Sequence, residues 1–319
     1  MKRLLAAAAA LAFAASAAAQ SDFPTRTVTM LVGFAPGGAT DTAARIIAKK
    51  LAENLGQSVV VENKAGAGGN IAHQAVANAP ADGYTILLGS VGPLAVAPHL
   101  MKLPYDPFKD LAPLTMAVTF PNVLVVHAGV PAKSFAEYLA LAKAKPGSLD
   151  FASTGVGSAS HLAGELLNQK AGINVVHIPY KGGGPAMTDL LGGRVGAYYS
   201  TPSTAGPHIE AGKLKALAVT SLKRSAFLPN VPTIAESGYP GFEALSWSGM
   251  SVAKGTPAPI VARLEAAFKE VMSSPAIKQK LESNGFVVPV QGSKVYSDFV
   301  ASELQRWVKV IKTAGIKPQ

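Results

Sequence analysis

The stretch from Phe34 to Leu51, FAPGGATDTAARIIAKKL, runs from a glycine turn straight into an amphipathic helix. It follows the β-branched run Thr27-Val28-Thr29-Met30-Leu31-Val32, which reads as a buried strand. Gly37 and Gly38 therefore sit where a strand hands over to a helix, a place whose free backbone N–H groups and positive dipole end suit an anion. Outward from this point the same alternation continues. Ser58–Glu62 and Thr85–Gly89 read as strands around a helix over 71–78, then come the strand Val123–Val126, the helix Phe135–Lys145, the strand Asp150–Ser153 and a helix from Ser160 to Ala171. Pro259–Met272, Pro275–Ser283 and Tyr296–Ala314 close the chain as helices. Strands alternating with helices predict an α/β architecture of parallel sheets covered by helices.

Two stretches break the alternation. Pro113–Pro121 is uncharged and β-prone, and Phe242–Val252 carries a comparable run around Leu245-Ser246-Trp247-Ser248-Gly249. If both are crossing strands, residues 20–121 with 246–319 build one discontinuous lobe, residues 122–245 build a second, and the crossings form a hinge. A chain of 319 residues exceeds the usual single-core domain, which favours two lobes.

Lys2-Arg3, the apolar run Leu4–Ala15 and the small residues Ala17-Ala18-Ala19 have the layout of a secretory signal peptide over residues 1–19. The sequence contains no cysteine, so thiol catalysis, disulfides and a lipid-anchor acceptor are all excluded. An exported, unanchored, monomeric periplasmic protein is expected. The formal charge is +10, falling to +8 once Lys2 and Arg3 leave with the leader. Its lysines are scattered, without a basic stripe or interleaved aromatics, which argues against nucleic acid and leaves a mild attraction for small anions.

A second glycine turn resembles the first: Phe151-Ala152-Ser153, then Thr154-Gly155-Val156-Gly157-Ser158-Ala159-Ser160-His161, then a helix. Gly66-Ala67-Gly68-Gly69 and Gly89-Ser90-Val91-Gly92 offer further bare backbone. The second turn lacks the third glycine of a dinucleotide fingerprint and the ribose-binding acid downstream, so no nicotinamide or other cofactor is expected. The six histidines show no metal-ligand spacing, no Gly-x-Ser-x-Gly elbow occurs, and the neighbours Ser160 and His161 diverge at a helix start; neither a metal nor catalysis is expected.

Val32-Gly33-Phe34-Ala35-Pro36-Gly37-Gly38-x-x-Asp41, Val61-Glu62-Asn63-Lys64-x-Gly66-Ala67-Gly68-Gly69, Gly155-x-Gly157-Ser158-x-Ser160-His161 and Ile178-Pro179-Tyr180-Lys181-Gly182 together resemble the Bug-type periplasmic solute receptors of tripartite tricarboxylate transporters. Val231-Pro232-Thr233-x-x-Glu236 and Trp247 with Gly249 fit too, so the likeness spans the chain beyond its leader. The resemblance implies a two-lobed, type II-like periplasmic-binding-protein fold with two crossover strands, an interlobe cleft and no catalysis. It implies that ligand carboxylates meet backbone amides of the Phe34–Asp41 and Ser153–His161 loops, with ordered water bridging to Asp41.

The candidate contacts are Phe34, Ala35, Pro36, Gly37, Gly38 and Asp41; Ala67, Gly68 and Ser90; Ser153, Thr154, Gly155, Gly157, Ser158 and His161; and Tyr180, Tyr199 and Thr201. Where the family often carries an acid this chain has Ser200, which disfavours a ligand bearing an ammonium group. The leading expectation is a receptor for a di- or tricarboxylate or aromatic carboxylate that delivers it to membrane permease subunits. Two alternatives are a sensor subunit acting on a signalling partner, and an exported hydrolase or lyase using Ser160 or His161.

Overall fold

The computed structural model describes residues 23–314. The expected leader over 1–19 lies outside the described residues. The chain opens with β1 (Val28–Val32), α1 (Ala39–Leu55), β2 (Val59–Asn63), α2 (Asn70–Ala77) and β3 (Thr85–Ser90), followed by a π turn over Gly92–Val96, the short α3 (Ala97–Leu100) and the long β4 (Leu111–Pro121). It continues through β5 (Val123–His127), α4 (Phe135–Ala144), β6 (Asp150–Ser153), α5 (Ala159–Ala171), β7 (Val176–Pro179), α6 (Gly183–Leu191), β8 (Ala197–Ser200), α7 (Pro202–Glu210) and β9 (Leu214–Val219). The last part holds β10 (Leu245–Ala253), α8 (Ala258–Ser273), α9 (Pro275–Glu282) and α10 (Ser293–Ala314).

These strands form two five-stranded sheets, one in the order β2-β1-β3-β10-β4 and the other β7-β6-β8-β5-β9. Each sheet has a lobe around it. In the first, β1 lies between β2 and β3, parallel to both, with Val28 opposite Val59 and Thr29 opposite Thr85. α1 covers this sheet because Ile47 and Leu51, one turn apart on its inner face, are wholly buried with Met30 and Phe268. Full burial of such a side chain contributes roughly 1.5–3 kcal/mol. The helix ends at Gly56, whose φ of 68° is the left-handed stop that glycine adopts without strain.

The sheets are mixed rather than purely parallel. β10 runs antiparallel to both β3 and β4, and β5 runs antiparallel to both β8 and β9. Strand direction follows the route of the chain: a strand that enters its sheet from the opposite lobe arrives from the other end. Local sequence carries no sign of that.

The crossings meet at Asn122, between β4 and β5, and at Thr220 and Ala244, which flank the return. The Asn122 N–H donates to Thr220 Oγ1 at 2.9 Å, the Thr220 N–H to Asn122 O at 2.9 Å, and Thr220 Oγ1 to Ala244 O at 2.7 Å. Asn122 and Thr220 are buried, so this small network replaces the water their backbones would otherwise bind. One hydrophobic cluster, containing Trp247, Phe151 and Tyr199, draws on both lobes. Among the described residues, no helix is long and apolar enough to cross a membrane.

Candidate functional site

The carboxyl ends of the parallel strands in the two sheets face each other, which is where ligands bind in open α/β sheets. Between them lies a cavity of about 50 Å³. Its first-lobe wall is Phe34, Gly38, Ala39 and Thr40 from the opening turn, with Ser90, Val91 and Gly92 after β3. The second-lobe wall is Thr154, Ser158, Ala159 and Ser160, with Gly183, Tyr198, Tyr199 and Thr201. Phe120, Asn122, Ser246 and Trp247 on the crossings complete the lining.

Four helix N-termini reach this cavity: α1 at Gly38–Thr40, α5 at Ser158–Ser160, α6 at Gly183 and α7 at Thr201. Gly38, Gly182 and Thr201 make no side-chain cap on α1, α6 and α7, so first-turn N–H groups there keep their donor capacity. On α5 the Ser158 hydroxyl accepts the His161 N–H at 3.3 Å and lies 3.1 Å from Ser160 Oγ. The lining contains no lysine, arginine, aspartate, glutamate or histidine side chain. What positive potential the cavity has therefore comes from aligned peptide dipoles.

Of the residues singled out from the sequence, Phe34, Gly38, Ser90, Thr154, Ser158, Tyr199 and Thr201 lie on the cavity wall. Ala35, Pro36, Gly37, Ala67, Gly68, Gly155 and Gly157 belong to the rim loops around it. Ser153 and His161 stand behind the second-lobe wall. Tyr180 is tied at its hydroxyl to Asp189 at 2.8 Å.

Asp41 is buried but faces its own loop. Oδ1 accepts from Asn63 Nδ2 at 2.9 Å and pairs with the Arg45 guanidinium at 2.9 Å, and Oδ2 accepts from the Gly37 N–H and Arg45 Nε, each at 3.1 Å. Burial alone would raise its pKa. The hydrogen bonds from Arg45, Gly37 and Asn63, with the Arg45 charge, outweigh burial and hold the carboxyl below its ordinary value. Asn63 also donates to Phe34 O at 2.9 Å, so this carboxylate braces the turn that presents the α1 N-terminus.

Sequence reasoning offered Tyr198 or Tyr199 as a wall, and both line the cavity, but it gave no binding role to Phe120, Asn122, Ser246 or Gly183. It also passed over His73, which is wholly buried behind the wall. His73 Nδ1 meets Gly69 O at 2.9 Å, and its Nε2 accepts from the Ser90 N–H at 3.3 Å. The ring thus pins the Ala67–Gly69 turn to the end of β3, with burial pulling its pKa down to about 4.

His161 and His177 stack with ring centroids 4.1 Å apart. His161 Nδ1 accepts from the Gly157 N–H at 3.1 Å, and His177 Nε2 lies 2.6 Å from Ser153 Oγ. Burial lowers His161 to about 4, and burial plus its neighbour lowers His177 to about 3, so both rings are neutral at pH 7. The Ser160 hydroxyl is engaged by the Thr154 N–H at 2.9 Å, with Thr154 and Ser158 hydroxyls alongside, and makes no bond to His161. A nucleophile and base in working contact are absent from this pair.

Residues 43–316 match the family model described as the tripartite tricarboxylate transporter family receptor. The protein BugT of Bordetella pertussis is 41% identical over 297 residues, covering 92% of this chain and 91% of BugT. An R. palustris protein solved with adipate superposes with a TM-score of 0.90 at 38% identity, over 93% of this chain and 100% of that one. MatC from Rhodopseudomonas palustris with bound malate superposes with a TM-score of 0.86 at 36% identity, over 91% and 100%. The family is one of solute receptors rather than enzymes.

Proposed function

We propose that this chain, which belongs to the tripartite tricarboxylate transporter family of receptors, captures a small organic dicarboxylate between its lobes and hands it to membrane permease subunits. The observation that carries the reading is the convergence of four helix N-termini on a cavity with no charged side chain in its lining. A dianion is the ligand that such an arrangement rewards, because each carboxylate finds N–H donors and a positive dipole end while no acid repels it. An ammonium group would find no anionic partner there. Bound adipate and malate in the two similar structures are both dicarboxylates, which supports the same class here. Export through the segment 1–19 would place the unanchored monomer in the periplasm, where a permease partner is accessible.

The test is a thermal-shift and calorimetric screen of succinate, malate, glutarate and adipate against arginine and glucose. Dicarboxylates should raise the melting temperature, since ligand at about 100 times its Kd stabilises the native state by about 2.7 kcal/mol. A shift from arginine or glucose with none from any dicarboxylate would overturn the proposal.

A further inference from the structure

The lobes touch around the cavity, and they do so backbone against backbone. The Ala35 N–H donates to Lys181 O at 3.1 Å across the cleft. At neighbouring points a glycine is what permits the approach. A Cβ on Gly184, in the first turn of α6, would stand 2.7 Å from Pro36 O, and one on Gly92 would stand 2.9 Å from Gly157 O. On Gly68 it would meet Val156 O at 2.2 Å. Real Cβ atoms do not come this close to a carbonyl oxygen, so at all three places the lobes are shut as far as bare backbone allows. At these places the lobes meet through backbone rather than through compressible side chains.

These stops fix the space inside. The cavity of about 50 Å³ holds roughly four waters, at the 10–15 Å³ of such space each needs, or about 120 Å³ of material at 30 Å³ per water. A four-carbon dicarboxylate is of that size, whereas a six-carbon dicarboxylate or a tricarboxylate overfills it. Phe34, Phe120 and Trp247 give the walls little room to yield.

We infer that the glycine contacts between the lobes gauge ligand length, so that the preferred ligand is a four-carbon dicarboxylate and longer acids leave the lobes ajar. This rests on the dicarboxylate-receptor reading above.

Gly184→Ala and Gly92→Ala test it without straining the backbone, because neither glycine has a positive φ. In Gly184→Ala the new residue also has the better helix propensity for α6. Gly192→Ala, at the other end of α6 and near only its own lobe, is the control. Calorimetric Kd values for succinate and adipate, with ligand-free melting temperatures, are the measurements. The wild type should favour succinate at least tenfold. Each test variant should keep its ligand-free melting temperature while losing tenfold or more in succinate affinity and less than threefold for adipate, which binds with these contacts already apart. The control should behave as the wild type.

Equal losses for both ligands, or an unchanged preference in both test variants, would overturn the gauge while leaving the receptor reading intact. Failure of the wild type to bind either acid would remove the receptor reading itself, and the gauge with it.

Discussion

Replacing Asp41 by asparagine keeps the shape of the side chain and removes its charge. If Asp41 served only as a favourable residue in the first turn of α1, the change would be almost free, because asparagine and aspartate are near equals at helix starts. The structure gives a different result. Asparagine keeps one acceptor oxygen, which can still serve the Gly37 N–H and Arg45 Nε. Its amide nitrogen must then point at Asn63 Nδ2 and the far Arg45 nitrogen, each of which donates to Oδ1 at 2.9 Å. Two donors would face a third. The Arg45 side chain is about half exposed, so water replaces most of what it loses. Asn63 is more enclosed, and its lost bond carries the larger part of the cost. Together these amount to about 2 kcal/mol. At roughly 2–4 °C per kcal/mol for a chain of this size, the ligand-free melting temperature should drop by about 4–8 °C at pH 7. The pH dependence gives a second check. The folded pKa of Asp41 lies below the ordinary aspartate value of about 3.9, so its contribution is complete above that value and fades as pH falls through the folded pKa. The gap between wild type and variant should therefore be constant above about pH 5 and narrow below pH 4. A variant that melts with the wild type at pH 7 would refute the brace and leave Asp41 a replaceable first-turn residue.

Thr220→Val keeps the volume at the crossings but strands the buried Asn122 N–H and leaves Ala244 O with only the long 3.4 Å bond from Asn122 Nδ2; chemical denaturation should show a loss of about 1–3 kcal/mol, and a loss below about 0.5 kcal/mol would count against the network. His73, His161 and His177 have folded pKa values of about 4, 4 and 3 against 6.5 when free, so the unfolded chain binds more protons between these limits. Stability should be full above pH 6.5 and decline as pH falls from there toward 4, and His73→Gln should flatten that slope as read from melts across the range.

The opening turn and helix were legible because a buried strand, paired glycines and a 3.6-residue apolar repeat all lie within one local stretch. The crossings were legible for a similar reason, since uncharged runs interrupt the alternation at Pro113–Pro121 and around Trp247. The antiparallel course of β5 and β10 was not, because direction depends on which lobe a strand comes from. The site divided along the same line. Gly38 and Ser158 stand in glycine turns that are visible in the sequence, whereas Phe120, Asn122 and Ser246 become wall residues only when distant crossings are brought side by side. Gly183-Gly184-Pro185 opens α6 against the other lobe, where a Cβ on Gly184 would meet Pro36 O, a role that depends on a segment far away in sequence. His73 carried no signal, since nothing near it in sequence reveals that it spans Gly69 and Ser90.

A cleft could bind carboxylates more simply with two arginines, and the use of helix ends instead has a mechanical consequence. An arginine on one lobe would hold a carboxylate strongly whether or not the other lobe arrived, because a bidentate ion pair is complete by itself. A single helix end supplies only partial charge, worth about 0.3–1 kcal/mol at an exposed position and more once water is excluded. Exclusion here requires both walls, since α1 belongs to the first lobe while α5, α6 and α7 belong to the second. On the proposed reading the contribution of each helix end grows as the cleft shuts, so a dianion's differential affinity for the closed form would drive closure. The hydrogen-bonded Asn122–Thr220–Ala244 junction would let the crossings serve as a hinge without exposing their backbone, and the inferred glycine stops would end the motion. Under the proposed function capture and closure would be one event, and reopening would weaken the hold on the ligand.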